Sequence, residues 1–586
     1  MLLQKTDKRS SQVEPPDRPP IPIFELPPRR IVVWIWVCST TERMFGQQET
    51  HTPESGEHYE LDEWRKSFGK EVKIITSHEN EAFLDVLRDT GYEIAEISAF
   101  MSPYPTSPRW ESRISLVEGF CQGADLILKY FVPDAPDKSR LKDTQEPKAW
   151  ISDFNLSSHG VVPSRHLYGR ILNNNGLYSA LLQKRFSEDL PAKIDANTRR
   201  IYVNNPNGVS ILVLLRTATP SQVYGFRELF ASYLTPSPVP ELALRHPDWW
   251  NGASFVIAFN LPFLAIGTES RSDTRTFSDN QYLRARHDLE FLNLKDQPPA
   301  QDRQDATYDH DNIVLHEAVY SFMITGRSEL YWTAVCLDDD FFDEESRLAD
   351  EEEIEHLDGI ADPITFQAEL ERTRSPRAYS LIALGKELEK IVEYHKNTQE
   401  RLKESLDFYT TFPRDDSLDA SLQQRMHEWR KQFPNVLEKA IHFNSRLAAK
   451  VSHFLTDDVM VGPDEVPHGP LWRGLQPDSG AFRSLRSVKN YCGQLRDIGL
   501  DLEQLRDISD RIRREEASRE VSSVSSSFNM ITRIAIAAFV LQALSLIAQV
   551  YASKPDKDDS SSQPGYLALI IVFIIAGVLG TLWLHE

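Results

Sequence analysis

Two apolar runs near the C-terminus constrain this chain more than any other feature. Residues 534–551 read IAIAAFVLQALSLIAQVY, and residues 566–584 read YLALIIVFIIAGVLGTLWL; neither contains a charged residue. At 1.5 Å per residue a helix of either run reaches roughly 27–28 Å, close to the ~30 Å hydrocarbon core of a bilayer. A soluble core helix without a charge over that length is unusual. The reading is two membrane spans, 531–551 and 566–584, joined by a connector, 552–565, too short to be a domain. Such a pair is a hairpin with both flanks on one side. Arg513, Arg514 and Arg519 precede the first span and Arg533 borders its uncharged run, whereas the connector has Lys554 and Lys557 beside Asp556, Asp558 and Asp559. Positive residues stay inside, so a multi-pass protein with cytosolic N- and C-termini is expected. Tyr566 and Trp583 sit near the ends of the second span, where aromatic belts form.

The two spans differ. The second is interrupted only by small residues at Ala576, Gly577 and Gly580, where a neighbouring helix can approach. The first carries Gln542, Ser545 and Gln549, with Asn529 and Thr532 just ahead of its uncharged run. Spacings of three and four put the inner three on one helix face. A polar stripe in a bilayer faces water or a partner helix. Two readings stay open: the stripe lines a pore made of several first helices, or it makes interhelical hydrogen bonds within an anchor.

The rest of the chain reads as globular. Of 586 residues, 41% are hydrophobic and 26% charged, enough for an ordinary packed core. The formal net charge of −22 excludes nucleic acid as a natural partner, because phosphate neutralisation needs clustered Lys and Arg. Cys38, Cys121, Cys336 and Cys492 form no CxxC pair, which speaks against a zinc site or a disulfide framework. There is no GxSxG, P-loop or GxGxxG motif, so the chain does not read as an enzyme and needs no cofactor.

Residues 1–30 are a Pro-rich arm that reads as disordered. Residues 31–337 mix strand-like and helical patterns without a βαβ rhythm, which gives an α+β cytosolic region with a break near 133–150. Strands are expected at 31–38, 72–76, 200–203, 254–261, 313–324 and 330–337, and helices at 81–87, at 209–215 and from Thr219-Pro220. Asn204-Asn-Pro-Asn-Gly208 reads as a turn, with Gly208 free to take φ > 0. An acidic loop region, 338–378, follows; its plain reading is a solvated segment. A helical stalk or bundle region, 379–530, comes next, with Pro434 expected to kink or split its second helix. It ends in a long heptad helix, 481–528, where Val488, Leu495 and Leu502, and Tyr491, Ile498, Leu505 and Ile512, recur every seven residues. That face packs either within its own bundle or in a parallel oligomer. His310 and His316, in YDHDNIVLHE, have no standard metal spacing and read as ordinary surface or core residues.

An acidic α+β cytosolic domain, a long helix running into the first span, a short acidic connector and a second span together resemble the CorA-type magnesium transporters, above all their divergent fungal relatives. The resemblance covers residues 483–586, and the segments RRIYVNNPNGVSILVLLRTAT and SFMITGRSELYWTAVCLDDD also look like the soluble part of such proteins. It implies a homo-oligomer, a pentamer in the family, with the first helices around a pore and Mg²⁺ or another divalent cation as substrate or regulator. It also implies that intracellular acidic residues sense the cation, which makes Asp338, Asp339, Asp340, Asp343, Glu344 and Glu345 the candidate oxygen ligands. Family members carry a Gly-Met-Asn triplet at the pore mouth, commonly just after a Tyr. Here Tyr551 is followed by Ala552, Ser553 and Lys554. A ring of lysines repels divalent cations, by about 1 kcal/mol per pair of unit charges at ~4 Å in water. The alternative function is therefore a non-transporting, membrane-anchored interaction or sensor protein that keeps the hairpin without the triplet. In either case lipid is a partner.

Overall fold

The computed structural model describes residues 63–69, 79–89, 95–102, 108–129, 148–157, 160–163, 171–185, 198–245, 254–292, 313–343, 348, 362–366, 375–411, 420–475, 479–552 and 570, 571, 573 and 577. The arm at 1–30, the strands expected at 31–38 and 72–76, the break at 133–147, most of the acidic region beyond Asp343, the connector from Ser553 and nearly all of the second span lie outside the described residues.

The helices are α1 (Glu63–Phe68), α2 (Phe83–Arg88), α3 (Glu96–Met101), α4 (Pro108–Phe120), α5 (Ala124–Lys129), α6 (Asn174–Leu181), α7 (Gly208–Thr217), α8 (Val223–Tyr233), α9 (Pro376–Thr411), α10 (Ala420–His453) and α11 (Ser479–Ala552). The strands are β1 (Lys148–Ser157), β2 (Gly160–Pro163), β3 (Ile171–Leu172), β4 (Thr198–Asn204), β5 (Glu241–Arg245), β6 (Phe255–Thr268), β7 (Arg286–Asp288), β8 (Ile313–Ser328) and β9 (Tyr331–Asp338).

The described strands form one nine-stranded sheet in the order β2-β1-β4-β9-β8-β6-β5, with β3 beside β1 and β7 beside β8. β4 and β9 run parallel, and the other pairings are antiparallel. The sheet is covered on both faces, which explains why β4 and β9 are buried at every position. Successive residues point opposite ways. Tyr202, Trp332, Ala334 and Cys336 face a core shared with α9, α10 and α11. Ile201, Val203, Val335 and Leu337 face a second core shared with α4, α7 and α8. This is a mixed α/β sheet domain followed by long helices and a long C-terminal apolar helix.

Local chemistry sets the joints. The turn after β4 is where the sequence places it, but its left-handed residue is Asn205, with φ of 48°, and not Gly208. Asn205 donates its N–H to Asp338 O (2.8 Å), and its Oδ1 accepts from Asp340 N (2.8 Å), which ties the ends of β4 and β9 together. Gly208 is needed for another reason: a Cβ there would lie 2.5 Å from Phe120 O at the end of α4. Asn207 caps α7 in a capping box with Ser210. The helix expected from Thr219-Pro220 begins later, at Val223; Thr219 instead uses its hydroxyl to donate to Glu79 (3.2 Å). Pro434 does not split α10, which is helical from Ala420 to His453.

α9, α10 and α11 pack up, down and up. Gln399 reaches Asp501 and Asn444 reaches Leu495, so α11 runs parallel to α9 and antiparallel to α10. Ring contacts tie α9 and the end of α10 to the sheet: Phe263 stacks on Tyr394 at 5.6 Å, and Phe259 meets Phe454, the residue after α10, edge-on at 5.8 Å.

Candidate functional site

α11 is a single helix of 74 residues that joins the soluble body to the apolar first span. Among the described residues it is the one helix long and apolar enough to cross a membrane, and its apolar window has none of its residues buried against the rest of the chain. That separates it from a core helix of equal length, which hides its apolar surface. The helical residues Ile570, Ile571, Phe573 and Gly577 are all that is described of the second span.

The helix has two seams. In the first, Val488, Leu495 and Leu502 are buried, as are Ile498 and Leu505, and Tyr491 and Ile512 pack at the margin. Their partners lie on α9 and α10 of the same chain. The heptad face is therefore filled within its own three-helix packing, the first of the two possibilities left open by the sequence. The second seam begins at Val521 and keeps spacings of three and four without a break: Val521, Val524, Phe528 and Ile531, then Ala535 and Ala538, then Gln542, Ser545 and Gln549. Val521 is nine residues, about two and a half turns, beyond Ile512, so this seam opens on the opposite side of the helix. Its members are exposed in the single chain; Val521, Val524 and Phe528 are 70%, 68% and 68% accessible. At the serine-rich stretch the three-and-four spacing continues on another face.

The structure thus brings Gln542, Ser545 and Gln549 onto one exposed line continuous with an apolar seam below them. Asn529 and Thr532 follow Phe528 and Ile531 by one residue, about 100° around the helix. Thr532 donates its hydroxyl to Phe528 O (2.8 Å), so its proton is committed to its own helix. Ala552 is the last residue of α11, and Ser553 and Lys554 lie outside the described residues.

The acidic run is not a solvated loop at its start. Asp338, Asp339 and Asp340 are buried. Asp338 accepts from Tyr202 Oη (2.8 Å). Asp339 accepts from Arg284 Nε (2.6 Å), Arg275 Nη2 (2.7 Å), Tyr233 Oη (2.5 Å) and Val319 N (2.9 Å). Burial pushes its carboxyl up, but the two guanidinium groups outweigh that and hold it at about 2. Lys390 bridges Asp340 (2.8 Å) and Asp343 (3.2 Å), and Tyr394 donates to Asp343 (2.8 Å). Asp339, Asp340 and Asp343 thus meet cations supplied by the fold itself. Glu344 and Glu345 lie outside the described residues, and among the described residues no group of three or more His, Cys, Asp and Glu is arranged to hold a metal ion. His316 packs its ring on Phe341 and Phe342, and burial lowers its pKa to about 4, so it is a neutral core histidine. His310 lies outside the described residues.

Sequence reasoning missed Tyr233, Arg275 and Arg284, which no local pattern links to Asp339. It also missed Asn444 and His395, both buried between the long helices. Their signal was present: each is a polar residue on the apolar face of a long helix.

No protein-family profile and no curated protein sequence matches this chain. Among solved structures, the full-length CmaX protein aligns over 75% of this chain and 96% of its own, at 10% identity and a TM-score of 0.32. The CorA magnesium transporter from Methanocaldococcus jannaschii aligns over 74% of this chain and 96% of its own, at 10% identity and a TM-score of 0.27.

Proposed function

We propose that the chain is a membrane-embedded cation conduit of the CorA type, in which several copies of α11 surround an axis and Gln542, Ser545 and Gln549 contact a hydrated Mg²⁺-type ion. The observation that carries this reading is the second seam. It is apolar outside the membrane, small at its lower edge and polar within, and it opens at Val521 on the side opposite Ile512 of the seam that α9 and α10 fill. A helix whose two sides are both apolar needs a partner on each. The body supplies one; copies of the same helix supply the other. A left-handed supercoil follows from the seven-residue spacing. In this arrangement the side-chain oxygens of Gln542, Ser545 and Gln549 form stacked rings, which suits a hydrated divalent ion better than an apolar lining. The second span, 566–584, closes the hairpin on the lipid side, and both termini are cytosolic.

The membrane itself hides one face of such a helix, but a single copy encloses no path. The purified full chain in detergent is therefore expected to have the mass of a ring of several copies, five by family resemblance. A monomer under conditions that keep the body folded contradicts the conduit.

One observation favours a second reading. Ala552, Ser553 and Lys554 stand where the resemblance expects the Gly-Met-Asn triplet. A ring of Lys554 at the mouth opposes divalent cations. In that reading the same helices assemble an anchored sensor or interaction protein without flux.

A further inference from the structure

The aliphatic packing of α11 is degenerate. Val488, Leu495 and Leu502 recur every seven residues, so a slip of one heptad still buries leucine and valine against α9 and α10. Besides exposed contacts such as Gln399 with Asp501 and Arg430 with Glu516, a buried polar layer breaks that degeneracy. Asn444 on α10 donates from Nδ2 to Leu495 O of α11 (2.6 Å). Its Oδ1 therefore faces His395 Nδ1 on α9 (3.0 Å), which carries the proton. All three helices meet in this one chain of contacts. Burial keeps His395 neutral by lowering its pKa to about 4, against the opposing pull of the Asn444 bond. Its Nε2 is buried without a hydrogen-bond partner among the described residues. Replacing such a layer by apolar side chains is often neutral or stabilising, and the best-attested use of a buried polar group is to fix register.

Gly499 makes the contact possible. A Cβ at that position would lie 3.0 Å from Asn444 Nδ2. A slip of seven residues brings Cys492 or Arg506 to the place of Gly499 and crowds the amide against the helix backbone. The same slip moves every residue of α11 by about 10 Å along its axis, a third of a bilayer's hydrocarbon core.

We propose that Asn444 and His395 are positioning residues: they fix the axial register of α11 against α9 and α10, and through the unbroken helix they set the depth of Gln542, Ser545 and Gln549 in the membrane. The functional half of this statement rests on the conduit reading above; the register half does not.

A native thiol reports the register. Cys492 Sγ lies 3.7 Å from Ala448 O on α10. In the full-length chain with its other cysteines replaced by alanine, Ala448→Cys is expected to crosslink with Cys492. Ile441→Cys and Leu455→Cys, one heptad to either side, are expected to crosslink little. The double variant His395→Leu/Asn444→Leu turns the layer apolar. It is expected to stay folded with an equal or higher Tm, while the off-register share of crosslinks rises about tenfold or more, the factor two buried hydrogen bonds sustain. Retention of the Ala448→Cys crosslink as the sole product overturns the proposal, and so does loss of the folded body, because it would make the pair a stability element. Mg²⁺ flux into vesicles is measured on the same variants. Unchanged flux in a slipped variant overturns the depth assignment. Absence of flux in the parent removes the conduit reading and leaves the crosslink ratio to decide the register.

Discussion

Replacing Gln542, Ser545 and Gln549 together by leucine is expected to reduce divalent-cation flux at least about tenfold while leaving the oligomer intact. The three residues occupy seam positions on α11, and in the proposed conduit each would contribute one polar group per copy to a ring. A ring that lowers the crossing barrier by only about 1.4 kcal/mol accounts for a factor of about ten, and three rings act in series along the path. Leucine at the same seam positions keeps helix–helix packing and removes the oxygens, so the ion loses contacts while the assembly does not. The measurement is uptake of Mg²⁺ into vesicles holding purified protein, with particle mass determined on the same preparation. Flux within about twofold of the parent, from oligomers of unchanged mass, would remove these residues from the path.

Asp339→Ala is expected to be the most destabilising single change in the soluble body. Its carboxylate sits fully buried between Arg275 and Arg284 and also holds Tyr233 and Val319 N. Removing it leaves the buried Arg284 without its carboxylate, while Arg275 keeps its bidentate pair with Asp273. Breaking a buried pair in this way costs about 3–5 kcal/mol. The thermal midpoint of the full chain in detergent should fall by about 5–15 °C. The same pairing produces an acid limb. The carboxyl is held at about 2, below its ordinary 3.8. Its contribution is thus complete above pH ~4 and is lost as pH falls toward ~2, by about 2 kcal/mol. Asp339→Asn, which titrates no proton, should flatten that part of the stability profile. A parent and variant with parallel profiles between pH 4 and 2 contradict the assignment.

Much of the local structure is legible in the sequence because local chemistry decides it. The strand, turn and capped helix at residues 198–217 follow from an apolar run, Asn-Asn-Pro-Asn and a helical period. The apolar runs at 313–324 and 330–337 become the central strands β8 and β9. The long helices and the apolar first span stand out by period and length. What is not legible depends on distance. β4 pairs with β9 in parallel, yet the strands between them in sequence are antiparallel, so no βαβ rhythm announces the pair. The acidic run reads as solvated because the cations that bury Asp339 come from Arg275 and Arg284, dozens of residues earlier in the chain. Gly208 reads as a turn glycine because only the tertiary approach of Phe120 O reveals its other task. The polar stripe of the first span is visible in the sequence. Which face of α11 the body covers is not, because that depends on how α9 and α10 pack against it.

The central claim is that divalent cations cross the membrane along α11. Its most direct test is Mg²⁺ uptake into vesicles containing only the purified full-length chain, compared with the same chain carrying Lys554→Asn. The conduit predicts uptake above that of empty vesicles for the parent and faster uptake for the variant, whose mouth no longer carries the lysine ring. Intact oligomers that pass no divalent cation, with or without Lys554, contradict it and leave the anchored sensor in its place.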